Sequence, residues 1–147
     1  MKKVLFLGIA MLMFVLTACN KESERNIIGS WKLVLVQESF ESSDDGNESD
    51  SYAVEEDLYY DFQKDGVLTF YDKDGEDGSC KWAYLDGKLV IDEETFDIEN
   101  FSHKEMDLVT TDYDEYYDEY DNHTYWSRYT YRMHFKREKA PKEYRNK

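Results

Sequence analysis

Residues 58–92 read LYYDFQKDGVLTFYDKDGEDGSCKWAYLDGKLVID, and this stretch decides the fold. Short runs of aromatic and β-branched residues alternate there with polar residues, at the two-residue period of a strand with one buried face. Asp-Gly pairs follow two of these runs, at Asp65 and at Asp86. Because Asp-Gly favours the tight turn of a hairpin, the stretch predicts consecutive antiparallel strands.

The same pattern extends in both directions from this stretch. Strands are predicted at residues 31–36, 58–63, 67–71, 79–85, 88–92, 95–99, 105–111 and 123–137. In the last of them, one side carries Tyr125, Ser127, Tyr129, Tyr131, Met133 and Phe135. Eight strands joined by short turns favour an all-β fold, an antiparallel up-and-down barrel over residues 27–138 whose closure removes exposed edges. An open sandwich is the alternative.

The amino terminus predicts an export signal. Met1-Lys2-Lys3 is basic, and residues 4–15 are almost entirely apolar. This apolar run is too short for a bilayer, which requires about 20 residues, so we predict a signal-peptide helix over residues 1–18. Leu16-Thr17-Ala18-Cys19 resembles the lipobox of bacterial lipoproteins. That resemblance implies a mature chain beginning at Cys19, with a diacylglycerol thioether and an acylated (palmitate-type) amine; an ordinary cleavage site with a chance cysteine is the alternative.

An acylated Cys19 implies attachment to a bacterial cell envelope, because two or more acyl chains hold a protein firmly to a membrane. Residues 19–26 form the expected tether. Its stretch Asn20-Lys21-Glu22-Ser23-Glu24 resembles the export signals of Bacteroidetes surface lipoproteins. The outer membrane is therefore the expected location, at its periplasmic face or at the cell surface.

The chain from Cys19 onward is strongly acidic. It has 129 residues, enough for one domain, and its 16 basic and 33 acidic side chains give a formal charge of −17. Such a charge repels polyanions, which excludes nucleic-acid binding. After lipidation Cys80 is the remaining thiol, so no intramolecular disulfide is expected. We predict that Cys80 is a buried and inert side chain.

Several motifs resemble those of the lipocalin-like lipoproteins of Bacteroidetes. They are Gly29-Ser30-Trp31, YDFQKDGVLTF at residues 60–70, Trp82, Leu89-Val90-Ile91 and Met106-Asp107-Leu108-Val109. The resemblance covers most of residues 26–138 and implies a lipocalin-like barrel. It also implies that Trp31 closes one end of the barrel and that an arginine, Arg128 or Arg132, stacks on it. Residues 139–147 are expected to be a charged tail that frays.

Three acidic segments have two interpretations each. Residues 72–77 contain four carboxylates, which hard cations prefer, but lack the spacing of a calcium loop, so a solvated hairpin turn is predicted. Residues 38–57 are expected to be a long loop, either a lid over the barrel or a disordered segment. Residues 111–122, rich in tyrosine, are expected to be a hairpin tip, either merely solvated or a contact surface.

The sequence carries no catalytic motif. His103, His123 and His134 are scattered without the spacing of a zinc site, and His134 is predicted to face outward. Neither a Gly-x-Ser-x-Gly elbow nor a phosphate-binding glycine loop occurs. We therefore expect neither an enzyme nor a bound cofactor or metal.

Two hypotheses for function follow. In the first, the barrel binds a small apolar or aromatic molecule through Leu35, Tyr60, Phe62, Phe70, Trp82, Tyr129 and Tyr131. The alternative for these side chains is that they fill the barrel solidly. In the second hypothesis the protein is a surface-displayed module, in which Asp112 to Asp121 contact a protein or a glycan and the barrel is a scaffold.

Overall fold

The computed structural model describes residues 23–44 and 46–147. The predicted signal-peptide helix and Cys19 lie outside the described residues. Within these two ranges no helix has the length and hydropathy needed to cross a membrane. The elements are α1 (Glu24–Ile27), β1 (Gly29–Ser42), β2 (Asn47–Phe62), β3 (Val67–Asp72), β4 (Gly75–Leu85), β5 (Lys88–Ile91), β6 (Glu94–Glu99), β7 (Glu105–Asp118), β8 (His123–Arg137) and α2 (Lys142–Arg145).

The eight strands form a closed barrel. Each strand pairs with the next in antiparallel orientation, and β8 returns to pair with β1. Closure gives every strand two neighbours along at least part of its length, which leaves few backbone groups without partners. The predicted all-β, eight-stranded up-and-down barrel is therefore confirmed.

The Asp-Gly pairs form the turns that the sequence predicts. Asp86 and Gly87, between β4 and β5, have φ angles of 51° and 83°. Two successive positive φ angles define the type I′ hairpin, whose twist matches that of the flanking strands. Gly66 follows Asp65 with φ of 80°, and a Cβ atom there would lie 3.3 Å from the Trp82 carbonyl oxygen. Both the backbone angle and the close approach favour glycine at this turn.

Residues 38–57 form the arms of a hairpin, so the prediction of a long loop is wrong. Glu38 pairs with Asp50, and Glu41 pairs with Asn47, next to the connection at residues 43–46. The β2 arm is largely exposed on both faces and the β1 arm is partly buried on both, so neither shows the alternation that marks a strand with one buried face.

β7 and β8 form a second long hairpin. β7 continues to Asp118, which pairs with His123, and residues 119–122 connect the two strands. The predicted hairpin is present, but most of the tyrosine-rich acidic segment is strand and its turn is short. The outer arms of both long hairpins form strands for the same reason. Their backbone groups gain hydrogen bonds from neighbouring strands, and this does not require burial.

Four strands rise above the rest of the barrel. β2 pairs with β3 only over Tyr59–Phe62, and β7 pairs with β6 only over Asp107–Val109. Beyond these points β2, β1, β8 and β7 continue as a four-stranded sheet, which we call the extension. The extension consists of residues 36–42, 47–54, 110–118 and 123–131.

Below the extension, apolar side chains fill the barrel. They come from inward positions on all eight strands, and most are less than a twentieth exposed. Close packing of this kind supplies the stability that a disulfide-free domain requires. The filled layer contains Trp31, Leu33, Phe62, Leu68, Trp82, Leu89, Phe96, Met106, Leu108, Met133 and Phe135.

The carboxy-terminal residues pack against the outside of the barrel, which differs from the expectation that they fray. The Tyr144 hydroxyl in α2 donates to Asp57 at 3.2 Å, and its ring lies 6.1 Å from that of Tyr59. Ala140 is buried, and Lys147 Nζ donates to the Lys73 carbonyl oxygen at 2.7 Å. One aromatic anchor thus holds a segment whose composition is otherwise that of a solvated tail.

Candidate ligand-binding site at the open end of the barrel

The end of the barrel where the chain enters is closed. Trp31 is fully buried there, and its indole Nε1–H donates to the Ile27 carbonyl oxygen at 2.8 Å. Ile27 in α1 is also fully buried, and the Phe101 ring lies 6.2 Å from that of Trp31. The turn of α1, the indole of Trp31 and the ring of Phe101 together seal this end of the barrel against solvent.

Arg137, rather than Arg128 or Arg132, stacks on Trp31. Its guanidinium lies 4.1 Å from the indole ring and donates to the carbonyl oxygens of Ile28 at 3.1 Å and His103 at 3.0 Å. Burial lowers the pKa of Arg137. The alternation of β8 explains the error, because Arg128 and Arg132 lie higher on the strand and pair with acidic residues on the outer face.

Two of the predicted ligand contacts belong to the filled layer. Phe62 and Trp82 are buried and meet edge to face with ring centroids 5.2 Å apart. The Trp82 indole also donates to the Gln63 carbonyl oxygen at 3.0 Å. These contacts support the alternative that the deep side chains fill the barrel, so neither residue is positioned to meet a ligand.

Leu35 points outward, so its predicted place in the cavity is wrong. The register of β1 shifts between Leu33 and Leu35, and beyond that bulge Leu35 pairs with His134 on the outer face. Val36 then takes the inward position and is buried in the core. A bulge adds one residue to a strand and therefore reverses the side of every residue that follows.

The remaining predicted contacts lie together at the open end, which we call the mouth. Tyr60 forms its floor, with its ring 4.9 Å from Phe70 and 5.0 Å from Phe135, both edge to face. Tyr131 and Tyr129 continue upward on the inner face of β8, on the same side as Phe135. Tyr131 is half-buried and Tyr129 is 39% exposed, so the aromatic surface runs from the core into solvent.

The opposite wall of the mouth includes residues that the sequence analysis missed. A pocket of about 570 Å³ is lined by Phe70, Cys80, Ile91, Asp92, Glu93 and Glu94. Cys80 is half-buried and faces inward beside Leu68, and burial raises the pKa of its thiol, which keeps it protonated at neutral pH. The two-residue period of β4 and β5 was the available signal, because it places Cys80 and Ile91 on the core side.

The inner face of the extension brings a carboxylate to this aromatic surface. The Tyr52 hydroxyl donates to Glu38 Oε1 in a long hydrogen bond of 3.5 Å. Burial, followed by the nearby Glu38 carboxylate, raises the pKa of Tyr129, so this carboxylate lies close to two phenols. A second pocket, of about 230 Å³, is lined by Glu38, Ser39, Phe40, Glu48, Ser49, Asp50 and Tyr129. The sequence analysis assigned Glu38 and Tyr52 to a loop and therefore missed this site.

The phenols of the mouth hold their protons tightly. Burial, followed by the proximity of Tyr131 and Cys80, raises the pKa of Tyr60 to about 12. Burial also raises the pKa of Tyr131, with further increases from Tyr52, Glu38, Tyr129 and Glu94. These phenols are therefore neutral hydrogen-bond donors at physiological pH, in a negative electrostatic environment.

The acidic segment at residues 72–77 contains a hairpin turn at Lys73 and Asp74, and β4 begins at Gly75. Asp72 Oδ1 accepts hydrogen bonds from the backbone amides of Asp74 at 2.6 Å and Gly75 at 3.1 Å. This use of an aspartate is typical of turns and occupies the carboxylate that a cation would need. Across the described parts of the chain, no group of three or more His, Cys, Asp or Glu side chains is arranged to hold a metal ion.

A polar cluster on the outer face joins β7, β8 and the loop that follows β6. Asp107 is 5% exposed and accepts from His134 Nδ1 at 2.5 Å, Asn100 Nδ2 at 2.7 Å and Arg132 Nη1 at 3.1 Å. Burial opposes the ionisation of Asp107, but these hydrogen bonds outweigh it and lower its pKa. Every partner is accounted for within the fold, so the cluster is structural and His134 faces outward, as predicted.

Replacing Asp107 with asparagine is expected to lower the free energy of unfolding by about 1–3 kcal/mol at pH 7. Because the pKa of Asp107 is lower in the folded protein, its contribution is complete above its ordinary value of 3.8 and is lost as the pH falls through the folded value. Urea titrations of both proteins at pH 7 and at pH 3 measure this difference. Asp97→Asn, at an exposed ion pair with Lys88, is the control and should cost less than about 1 kcal/mol. An Asp107→Asn deficit that is equal at both pH values would contradict the assignment.

Comparison with known proteins gives no relative. No protein-family model, no curated protein and no solved structure matches the chain. The class of the protein therefore rests on its own strand pairing. It is an eight-stranded antiparallel up-and-down barrel, sealed at one end by α1 and Trp31 and lined with aromatic side chains at the other.

Proposed function

We propose that the protein is a lipid-anchored lipoprotein of the bacterial cell envelope that binds a small apolar or aromatic molecule in the mouth of its barrel. The observation that carries the proposal is the convergence of Tyr60, Phe70, Tyr129 and Tyr131 above a filled core. Binding sites for small molecules are typically concave, about 300–1,000 Å³ in volume and lined by aromatic side chains with a few polar groups. The pocket of about 570 Å³ beside Phe70 lies within that range of volume, and it is shallow and open to solvent.

The filled layer determines where a ligand binds. Because Phe62 and Trp82 occupy the depth of the barrel, a ligand rests on Tyr60 as a floor and does not enter the core. A site of this kind is shallow, and it leaves part of the ligand in contact with the extension. We therefore propose a ligand with an apolar or aromatic body and an end that reaches Tyr129.

The position of α1 orients the barrel relative to the anchor. α1 lies at the sealed end, and the four residue-to-residue steps from Cys19 to Ser23 can span at most about 14 Å. A lipid on Cys19 would thus hold the sealed end near the membrane while the mouth opens away from it. The ligand would reach the mouth from the aqueous side of the envelope. The stacking of Arg137 on Trp31 supports the lipocalin-like character of this end.

A second candidate function uses the tip of the extension. Tyr113, Tyr116, Tyr117 and Tyr120 are all more than half exposed, and such rings are frequent contacts in protein and glycan recognition. The mouth is favoured because Tyr60, Phe70 and Tyr131 lie on the inner side of the barrel and all pack against its core. The tip, by contrast, presents its rings on both faces of the sheet, since Tyr113 and Tyr116 are at alternate positions.

A titration with the neutral aromatic probe N-phenyl-1-naphthylamine tests the proposed function. We expect saturable, one-to-one binding, and we expect Tyr131→Ala to weaken it about tenfold, as loss of a central aromatic contact does in other interfaces. The fluorescence of the probe measures both affinities. Tyr113→Ala, which removes the same side chain from the outer face of the extension, is the matched control and should leave the affinity unchanged.

Thermal melts show whether each variant remains folded, and Phe70→Ala supplies a second substitution in the mouth. Equal losses of affinity in the Tyr131 and Tyr113 variants would place binding outside the mouth. Absence of saturable binding by the wild-type protein would count against a site for apolar aromatic molecules.

A further inference from the structure

The inner face of the extension has a one-sided charge pattern. The strand register places no lysine or arginine at the inward positions of its four strands, whereas acidic and aromatic side chains occupy most of them. The charge is therefore segregated by face and not merely high overall. The inward positions include Glu38, Phe40, Glu48, Asp50, Tyr52, Asp112, Asp114, Tyr116, Asp118, Tyr125, Tyr129 and Tyr131.

Arg128 and Arg132 of β8 point outward and are neutralised there. Arg128 forms an ion pair with Glu41, and Arg132 pairs with Glu99 at 2.7 Å and with Asp107 at 3.1 Å. Alternation in β8 separates these arginines from Tyr129 and Tyr131, which lie at odd-numbered positions. These two arginines are thus paired on the outer face, and the inner face of the extension is left with carboxylates.

Glu38 and Glu94 flank the aromatic surface from opposite walls. Both contribute to the electrostatic environment of the Tyr131 hydroxyl, Glu38 from β1 and Glu94 from the beginning of β6. Glu94 also lines the pocket that contains Phe70 and Ile91. Among the ion pairs formed within the described residues, none includes either glutamate.

The faces of aromatic rings and carboxylates both favour a positively charged ligand. The face of a phenol ring carries negative electrostatic potential and attracts an ammonium group within about 6 Å of its centroid. A carboxylate a few ångströms away strengthens that attraction, and both groups repel an anion. The apolar wall of Phe70 and Ile91 adds a place for a hydrocarbon or aromatic body.

We propose that the mouth selects an organic cation, an amine or quaternary ammonium whose apolar or aromatic body rests on Tyr60 and Phe70 and whose positive end lies among Tyr131, Tyr129, Glu38 and Glu94. This inference rests on the proposed function and narrows its ligand class. It assigns a role to Glu38 and Glu94, which a purely apolar site would not require. Two carboxylates at the edge of an apolar site would weaken the binding of an apolar ligand.

Isothermal titration calorimetry with three ligands of equal chain length tests the inference. The ligands are decyltrimethylammonium, the uncharged decyldimethylamine N-oxide and decanoate, each below its micelle concentration at pH 8. We expect the cation to bind about tenfold more tightly than the N-oxide and decanoate to bind most weakly. The double substitution Glu38→Gln and Glu94→Gln should reduce the affinity for the cation to the affinity for the N-oxide.

Glu41→Gln is the matched control, because it removes the same charge from the outer face of the same strand, and it should leave the order of affinities unchanged. Equal binding of the cation and the N-oxide, or a charge preference that survives the double substitution, would overturn the inference. If the ligands bind without the expected charge preference but their binding still depends on Tyr131, the inference fails and the proposed function stands. If none of the three ligands binds, both the inference and the proposed function fail.

Discussion

Replacing Trp31 with alanine is expected to lower the free energy of unfolding by about 3–5 kcal/mol, a large share of the total stability of a domain of this size. Trp31 is fully buried, and alanine would leave a cavity between α1 and the filled layer. The substitution also removes the hydrogen bond to Ile27 and the ring beneath Arg137. Urea unfolding followed by circular dichroism measures the loss.

Trp126→Ala supplies the control for Trp31. Trp126 lies on the outer face of the extension, where it stacks on Tyr113 with centroids 6.4 Å apart and remains partly exposed. Its removal opens no core cavity and should cost less than about 1.5 kcal/mol. Losses of similar size for the two tryptophans would contradict a closed end built on Trp31.

The second large effect is expected from Cys19→Ala, which should abolish lipid labelling and membrane retention. The proposed thioether would need the sulfur atom of Cys19, and the sequence before that residue resembles a lipobox. Loss of the acyl chains removes nearly all affinity for the bilayer, because one chain is marginal and two suffice. Metabolic labelling with palmitate and fractionation of membranes measure the outcome.

Cys80→Ala is the matched control, since it removes the other thiol of the chain and leaves the lipobox intact. It should retain full labelling and full membrane attachment. A Cys19→Ala protein that is still processed and still pellets with the membrane would rule out the lipid anchor.

Local rules were enough to predict the barrel from the sequence. The two-residue period of residues 58–92 identified strands with one buried face, and Asp65 and Asp86 marked their hairpin turns. Short connections between eight such strands permit few topologies besides a closed meander. Agreement between strand pattern and turn chemistry explains why the architecture was correct.

The lengths of the long strands and the register of β1 beyond Leu33 could not be predicted from the sequence, for physical reasons. The outer arms of β2 and β7 are largely exposed and are stabilised by backbone pairing, so their sequences carry no periodic signal of burial. The arm of β8, by contrast, was predicted from its alternation. The position of Leu35 depends on a bulge that only the pairing of β1 with both neighbours reveals. Arg137 was missed because stacking on Trp31 is set by the ends of two strands distant in sequence.

The candidate site was predicted in part. Alternation in β2, β3 and β8 correctly placed Tyr60, Phe70 and Tyr131 on the inner side. Depth within the barrel is not encoded in that alternation, so Phe62 and Trp82 could not be separated from the residues of the mouth. The roles of Glu38 and Glu94 depend on strand pairing and on the β5–β6 turn, which bring both carboxylates near Tyr131 and which no local pattern predicts.

The central claim is that a filled barrel binds its ligand at the mouth, and an amide NMR titration of the labelled protein with decyltrimethylammonium tests it most directly. The account predicts perturbations at Tyr60, Phe70 and Tyr131, with little change at Phe62 in the filled layer. Perturbations confined to the exposed tip around Tyr120, or strong ones at Phe62 that indicate penetration of the core, would contradict it.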